Sequence, residues 1–298
     1  MLRTLTRSAF AWQCSLLLIV VQIPAVKPTN AADKFDLSDE LRGRCLKTLR
    51  EGMNSDEFWP SMHAAEGLTL AGHGDEVRAC LAPKLPLEKD DQHRCGLARE
   101  LMRAGDRDKK QVMLDILAGD DPYGHVHAAE SLYKVDEIGD GKAMKRAAKQ
   151  TENMKLHLMA CAALANLGNK EALRQVRVRL ADTDPETRKI AAWILGRIGD
   201  AADFPQLRKN IETAPDSLSR AYNEHSLAAL GDADGLRALV ANLQDEDPAV
   251  RTYAATFAGD TKQVSIAPGL IPLLDHENLD VRVRAAQSLL MFAQLGAK

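Results

Sequence analysis

Two short motifs hold the side chains with the most chemical potential. Trp59-x3-His63-Ala-Ala-Glu66-Gly-Leu recurs 64 residues on as Tyr123-x3-His127-Ala-Ala-Glu130-Ser-Leu. A histidine and a carboxylate three residues apart face the same way on a helix. Such a pair can serve as general acid and base or supply two ligands to a divalent cation. His63, Glu66, His127 and Glu130 are therefore the candidate centre of a metal-dependent enzyme or enzyme subunit. No P-loop, dinucleotide fingerprint or Ser-His-Asp signature accompanies them, and no cofactor is expected.

These motifs sit inside a longer pattern. An anchor recurs at Leu68, Leu101, Leu132, Leu164, Leu195, Leu227, Ala258 and Leu289, in steps of 31 to 33 residues. Eleven positions before each anchor stand Glu57, Asp90, Asp121, Asn153, Asp184, Asp216, Asp247 and Asn278. All but Glu57 are of N-cap type, and Pro122, Pro185 and Pro248 follow at the first helical position. Four after the anchor stand Gly72, Gly105, Gly168, Gly199 and Gly231, which read as C-cap glycines. Small residues, mostly alanine pairs, precede the anchor and let helices approach closely. Each copy is thus a capped helix of about four turns, joined to the next by a shorter apolar segment that reads as a second helix. The class is all-α.

The units DPETRKIAAWILGRIGD and DPAVRTYAATFAGD resemble HEAT-like repeats of the phycobilisome-lyase type. The resemblance spans nearly the whole of residues 32–298. It implies a right-handed α-solenoid of about eight HEAT-like helical pairs, with each unit touching only its neighbours. It also implies that the Asp column caps helices and that the Arg/His column (Arg94, His125, His157, Arg188, Arg220, Arg251, Arg282) cross-links successive repeats. An enzymatic precedent for such repeats, deoxyhypusine hydroxylase, holds two irons on adjacent His-Glu pairs. His63 and His127 stand where that pattern has the glutamate, preceded by Met62 and Val126. Two repeats at ~10 Å each would also keep these histidines ~20 Å apart, too far to share an ion.

In solenoids of this kind the capped helix lines the concave side. Positions −9, −5, −2 and +2 from the anchor project opposite the packed stripe. That face holds Trp59, His63, Glu66, Tyr123, His127, Glu130, Trp193, Tyr222 and Tyr253. Trp and Tyr are frequent anchors of binding surfaces. Aromatics make up only 4% of the 298 residues. Five of the eleven rings beyond residue 31 fall in these columns, where an even spread would leave about one. These nine residues are the expected partner-binding set. The favoured partner is a protein or peptide, and a carbohydrate stacking on the rings is the further alternative. The net charge of −3 offers no electrostatic case for nucleic acid.

Residues 1–31 read as a cleavable signal peptide. Arg3 and Arg7 precede an apolar run from Ala9 to Val21, and Thr29-Asn30-Ala31 ends it. Gln22 and Pro24 keep that run short of a membrane span. The expected product is a secreted or periplasmic protein, residues 32–298 forming one solenoid with no stable membrane span. An exported chain can form disulfides, and Cys80 and Cys95 flank a turn where a bridge between helices is possible. A binding scaffold is favoured over an enzyme.

Overall fold

The computed structural model describes residues 35–295. Within them the chain forms sixteen α-helices and short 3₁₀ turns, with no strand. The helices fall into eight pairs: α1 (Asp39–Met53) and α2 (Phe58–Leu70); α3 (Gly74–Leu81) and α4 (Asp91–Arg103); α5 (Lys110–Ala118) and α6 (His125–Lys134); α7 (Lys142–Ala147) and α8 (Met154–Asn166); α9 (Lys170–Arg179) and α10 (Pro185–Ile198); α11 (Phe204–Glu212) and α12 (Ser217–Ala229); α13 (Ala233–Asn242) and α14 (Pro248–Thr261); α15 (Ala267–Leu270) and α16 (Leu279–Leu295). The signal-peptide reading concerns residues 1–31, which lie outside the described residues.

The even-numbered helices are the repeated, capped ones. Asp90, Asp121, Asn153, Asp184, Asp216, Asp247 and Asn278 each accept a hydrogen bond from a backbone N–H of the first turn, while Glu57 accepts none. At the other end Gly72, Gly105, Gly168 and Gly231 take positive φ. Asp136 and Lys262, the equivalent residues of two other copies, adopt the same conformation at φ 57° and 56°. The turn geometry is thus kept where glycine is not. Gly199 differs. Its φ is −85°, and a Cβ there would meet Leu195 O at 2.6 Å and Asp203 Oδ2 at 2.5 Å. It is required for space, not for handedness.

The Arg/His column does not cross-link neighbouring repeats as expected. Arg188 donates to the carbonyls of Asp182 and Thr183, Arg251 to Glu246, and Arg282 to His276 and Glu277. The rings of His125 and His157 reach Gly119 O and Ala148 O. These side chains fasten the turn before their own helix by meeting carbonyls that would otherwise lack donors.

The inner helices run parallel, because equivalent positions meet at both ends. The Gln92 amide donates to Tyr123 O, and Arg103 Nη2 donates to Lys134 O. The anchors Leu68, Leu101, Leu132, Leu195, Ala258 and Leu289 are wholly buried in the seams. Each such leucine contributes about 1.5–3 kcal/mol through lost apolar exposure.

The array does not stay open. Each inner helix packs on the next, from α2 round to α16, and α16 then packs on α1 and α2. One hydrophobic cluster joins Cys45, Leu49 and Leu68 with Val281, Val283 and Leu289. Close approach at this seam depends on glycine: a Cβ on Gly52 would lie 2.7 Å from Val283 Cγ2. Arg44 pairs with Asp275 at 2.9 Å, and the Gln294 amide donates to Leu70 O. The expected solenoid therefore closes into a ring, and its concave face becomes a central well.

Cys45, Cys80, Cys95 and Cys161 are all free thiols, so the bridge considered between Cys80 and Cys95 is not formed. Cys95 is wholly buried in the core, whereas Cys80 lies half-buried beside Asn54.

Candidate functional site

The well has a volume of about 1020 Å³ and opens to solvent. The four columns expected to face inward supply most of its wall. Gln92, Gly96, Tyr123, Ala162, His225 and Ala229 are the members of those columns that do not reach it. Trp59, His63, Glu66, His127, Glu130, Trp193, Tyr222 and Tyr253 all line it.

Tyr123 is misplaced by the wheel for a definite reason. Pro122–Gly124 is a 3₁₀ turn, and α6 begins only at His125. Three residues per turn rotate Tyr123 away from the face that His127 and Glu130 share. It is 53% exposed, and its hydroxyl donates to the neighbouring N-cap carboxylate Asp90 at 2.7 Å. It belongs to the rim of the ring, not to the well.

The two His/Glu pairs do not act as pairs. His63 Nδ1 contacts Asp280 Oδ1 at 2.7 Å, across the closing seam. Glu66 lies between Arg103 at 2.9 Å and Arg284 at 3.1 Å. Glu130 pairs with Lys134 at 2.6 Å. His127 stacks on Trp59, with centroids 5.2 Å apart and planes 19° apart. Copies one and three thus touch through the Trp59 ring. Gly96 on α4 leaves room for Phe58, the chain neighbour of Trp59, whose Cε1 would be 3.0 Å from a Cβ there. Among the described residues, no three His, Cys, Asp or Glu side chains gather as a metal shell would need. The His-Glu dipeptide His276-Glu277 lies in the turn before α16, where the His276 ring accepts from Asn278 N.

Burial sets the protonation states. It holds His63 down to about 4, and Arg284 adds to the effect, so the ring is neutral at pH 7. Burial lowers His127 as well. For Glu66, burial raises the pKa, but Arg103, Arg284, Lys134 and Arg99 outweigh it and hold the carboxyl well below its usual range. Glu130 is brought to about 2 against burial, mainly by Lys134. Asp260 goes the other way. Burial raises it although Arg197 lies 2.8 Å off.

Further residues give the well its character, and the aromatic pattern alone did not single them out. Arg197 lies over Trp193 at 4.4 Å and over Phe257 at 4.6 Å. Lys134 approaches the Trp193 ring at 5.5 Å, and Tyr133 meets it edge-on at 5.9 Å. Tyr222 and Tyr253 pack together at 4.5 Å, with Lys189 over Tyr222 at 5.8 Å. Arg103, Arg197, Asp260 and Arg284 do stand in the inward columns, and that placement was the available signal. The arrangement offers aromatic surface for stacking and fixed ionic groups for hydrogen bonding. No nucleophile with an activating base appears among these contacts.

Fold and site together define a helical-repeat ring of HEAT-like pairs around a ligand-sized well. Residues 142–228 match the family model described as HEAT repeats, and the pairs on either side repeat the same architecture. Solved structures similar to this chain include human deoxyhypusine hydroxylase in complex with glycerol, at 16% identity over 86% of this chain and 98% of that one, TM-score 0.41. They also include YibA of Escherichia coli, at 18% identity over 86% and 98%, TM-score 0.35. A third is an engineered protein, at 19% identity over 85% and 97%, TM-score 0.35. No curated protein shows significant similarity to the sequence. Among the described residues no helix is long and apolar enough to cross a membrane.

Proposed function

We propose that this protein is a binding scaffold that holds a protein partner by a peptide segment or chain end inserted into the central well. The observation that carries this reading is the lining itself. Trp59, Trp193, Tyr222 and Tyr253 surround an open cavity of about 1020 Å³, with charged side chains between them. That volume suits a small ligand or a few residues of extended chain. Closure of the ring favours an inserted segment over a folded domain laid along a groove. Ion pairs on Glu66 and Glu130 account for the carboxylates that a metal-enzyme reading would need.

Export belongs to the same proposal. The signal-like features of residues 1–31 support a mature chain starting at Ala32 in the periplasm or outside the cell. N-terminal sequencing of protein recovered from an envelope fraction tests this.

The binding test is selection of octapeptides from a random displayed library by residues 32–298. Trp193→Ala should lose the selected peptides, and Tyr123→Ala, on the rim, should retain them. Equal binding by a folded Trp193→Ala variant would remove the well from the mechanism. Failure to select any peptide, together with glycan-array binding, would replace the peptide with a sugar.

A further inference from the structure

A guanidinium N–H, that of Arg284, is buried without a partner in the wall of the well. Arg284 is only 9% exposed. Its Nη1 bonds Glu66 at 3.1 Å and Gln287 at 2.8 Å, while its Nε has no acceptor. A buried guanidinium N–H without an acceptor is costly and uncommon. His127 Nδ1 is also buried without a partner. Lys155, exposed in the lining, forms no ion pair among the described residues. Among the buried acceptor atoms of the lining, Asp260 Oδ2 lacks a hydrogen bond, and it already lies 2.8 Å from Arg197 Nη2.

Formal charge points the same way. Seven Arg and Lys side chains line the well against six Asp and Glu, a surplus of +1 within a chain of net charge −3. The acidic excess of the protein therefore lies elsewhere. Glu66, Glu130, Glu186, Asp260 and Asp280 are each engaged by a basic or histidine side chain. Asp136 accepts from Asn166.

We propose that the well takes an acidic peptide, one of whose carboxylates is received by Arg284. This rests on the reading of the well as a peptide site and adds the chemistry of the occupant. An incoming carboxylate supplies the acceptor that Arg284 Nε lacks, in a geometry guanidinium groups bind well. Lys155 draws the acidic segment inward, and His127 offers a further hydrogen-bonding nitrogen beside the Trp59 ring.

The experiment uses peptides selected on residues 32–298. Exchanging their Glu and Asp for Gln and Asn should weaken binding at least tenfold, and raising salt should weaken the acidic forms. Arg284→Gln should lose about tenfold. Because Arg284 also ties α16 to α2, Lys155→Gln is the second variant. It is exposed, should leave the circular dichroism unchanged, and should weaken binding about threefold with a shallower salt dependence. Equal affinity for acidic and amide peptides, or undiminished binding by both variants, overturns the acidic assignment and leaves the peptide reading intact. Selection of no peptide at all overturns both, as does binding of an acidic oligosaccharide in place of every peptide.

Discussion

His63 Nδ1 on α2 and Asp280 Oδ1 on α16 lie 2.7 Å apart although 217 positions separate them in the chain. The contact is mostly buried and joins the first and last inner helices. Asp280→Ala leaves the imidazole without its partner and should destabilise the ring by about 1–3 kcal/mol, the range for a buried polar group left unmet. Asp280→Asn keeps an acceptor and should lose less. Urea unfolding of both variants checks the order.

Acid should weaken the fold through its histidines. Burial sets His63 to about 4 and His225 to about 3, and lowers His127, whereas free histidine titrates near ~6.5. With the folded value depressed, the unfolded chain binds more protons below ~6.5. Stability is complete above that pH and is lost as pH falls, the His63 share being spent near 4. His225→Gln should flatten the slope between pH 6.5 and 4 by about one proton. Stability against pH measured in denaturant will show it. An unchanged slope would mean that His225 does not titrate with unfolding.

Glu66 sits between two cations drawn from different helices, Arg103 on α4 and Arg284 on α16. Glu66→Ala strands Arg284, while Arg103 keeps Glu100 at 3.0 Å, and should cost about 3–5 kcal/mol, as removal of one member of a buried ionic group does. Glu66→Gln should cost less, since an amide oxygen can still accept. A double-mutant cycle with Arg284→Met should give a coupling of at least about 1 kcal/mol.

Gly96 is where the well's aromatic corner meets the core. A methyl there would press on Phe58 Cε1 at 3.0 Å and Met62 Cγ at 3.4 Å. Gly96→Ala should destabilise by about 1–3 kcal/mol through overpacking. It should also change Trp59 fluorescence by disturbing the stack on His127. Loss of stability without a change in that emission would separate Gly96 from the corner.

Lys262 holds a left-handed conformation that glycines hold in four other copies. Lys262→Gly removes the Cβ strain and should raise stability by about 0.5–1 kcal/mol. A thermal melt is sufficient to test it.

Much of this molecule is written in its columns. The Asp/Asn caps, the buried anchors and the inward stripe follow from local rules of capping and a 100° turn per residue. The inward placement of His63, Glu66, His127, Trp193 and Tyr222 follows from those rules alone. Tyr123 escapes them because the pattern assumes an α-turn where Pro122–Gly124 makes a 3₁₀ one. Asp136 and Lys262 escape as turn residues because neither side chain carries the signal that glycine does. Ring closure is not legible for a different reason. It depends on the summed rotation of eight pairs and on Gly52 admitting Val283, and no single window of sequence carries that sum. The partners of Glu66 and His63 are hidden with it, since Arg284 and Asp280 become neighbours only once the circle is complete.

The seam between α2 and α16 also orders events in time. A ribosome makes α1 and α2 first, yet the face they present to Val283 and Asp280 stays bare until the last helix emerges. An open array can settle one unit after another as it is synthesised. Here the earliest unit gains its second neighbour only at the end, so the whole molecule should lock in one late, concerted step.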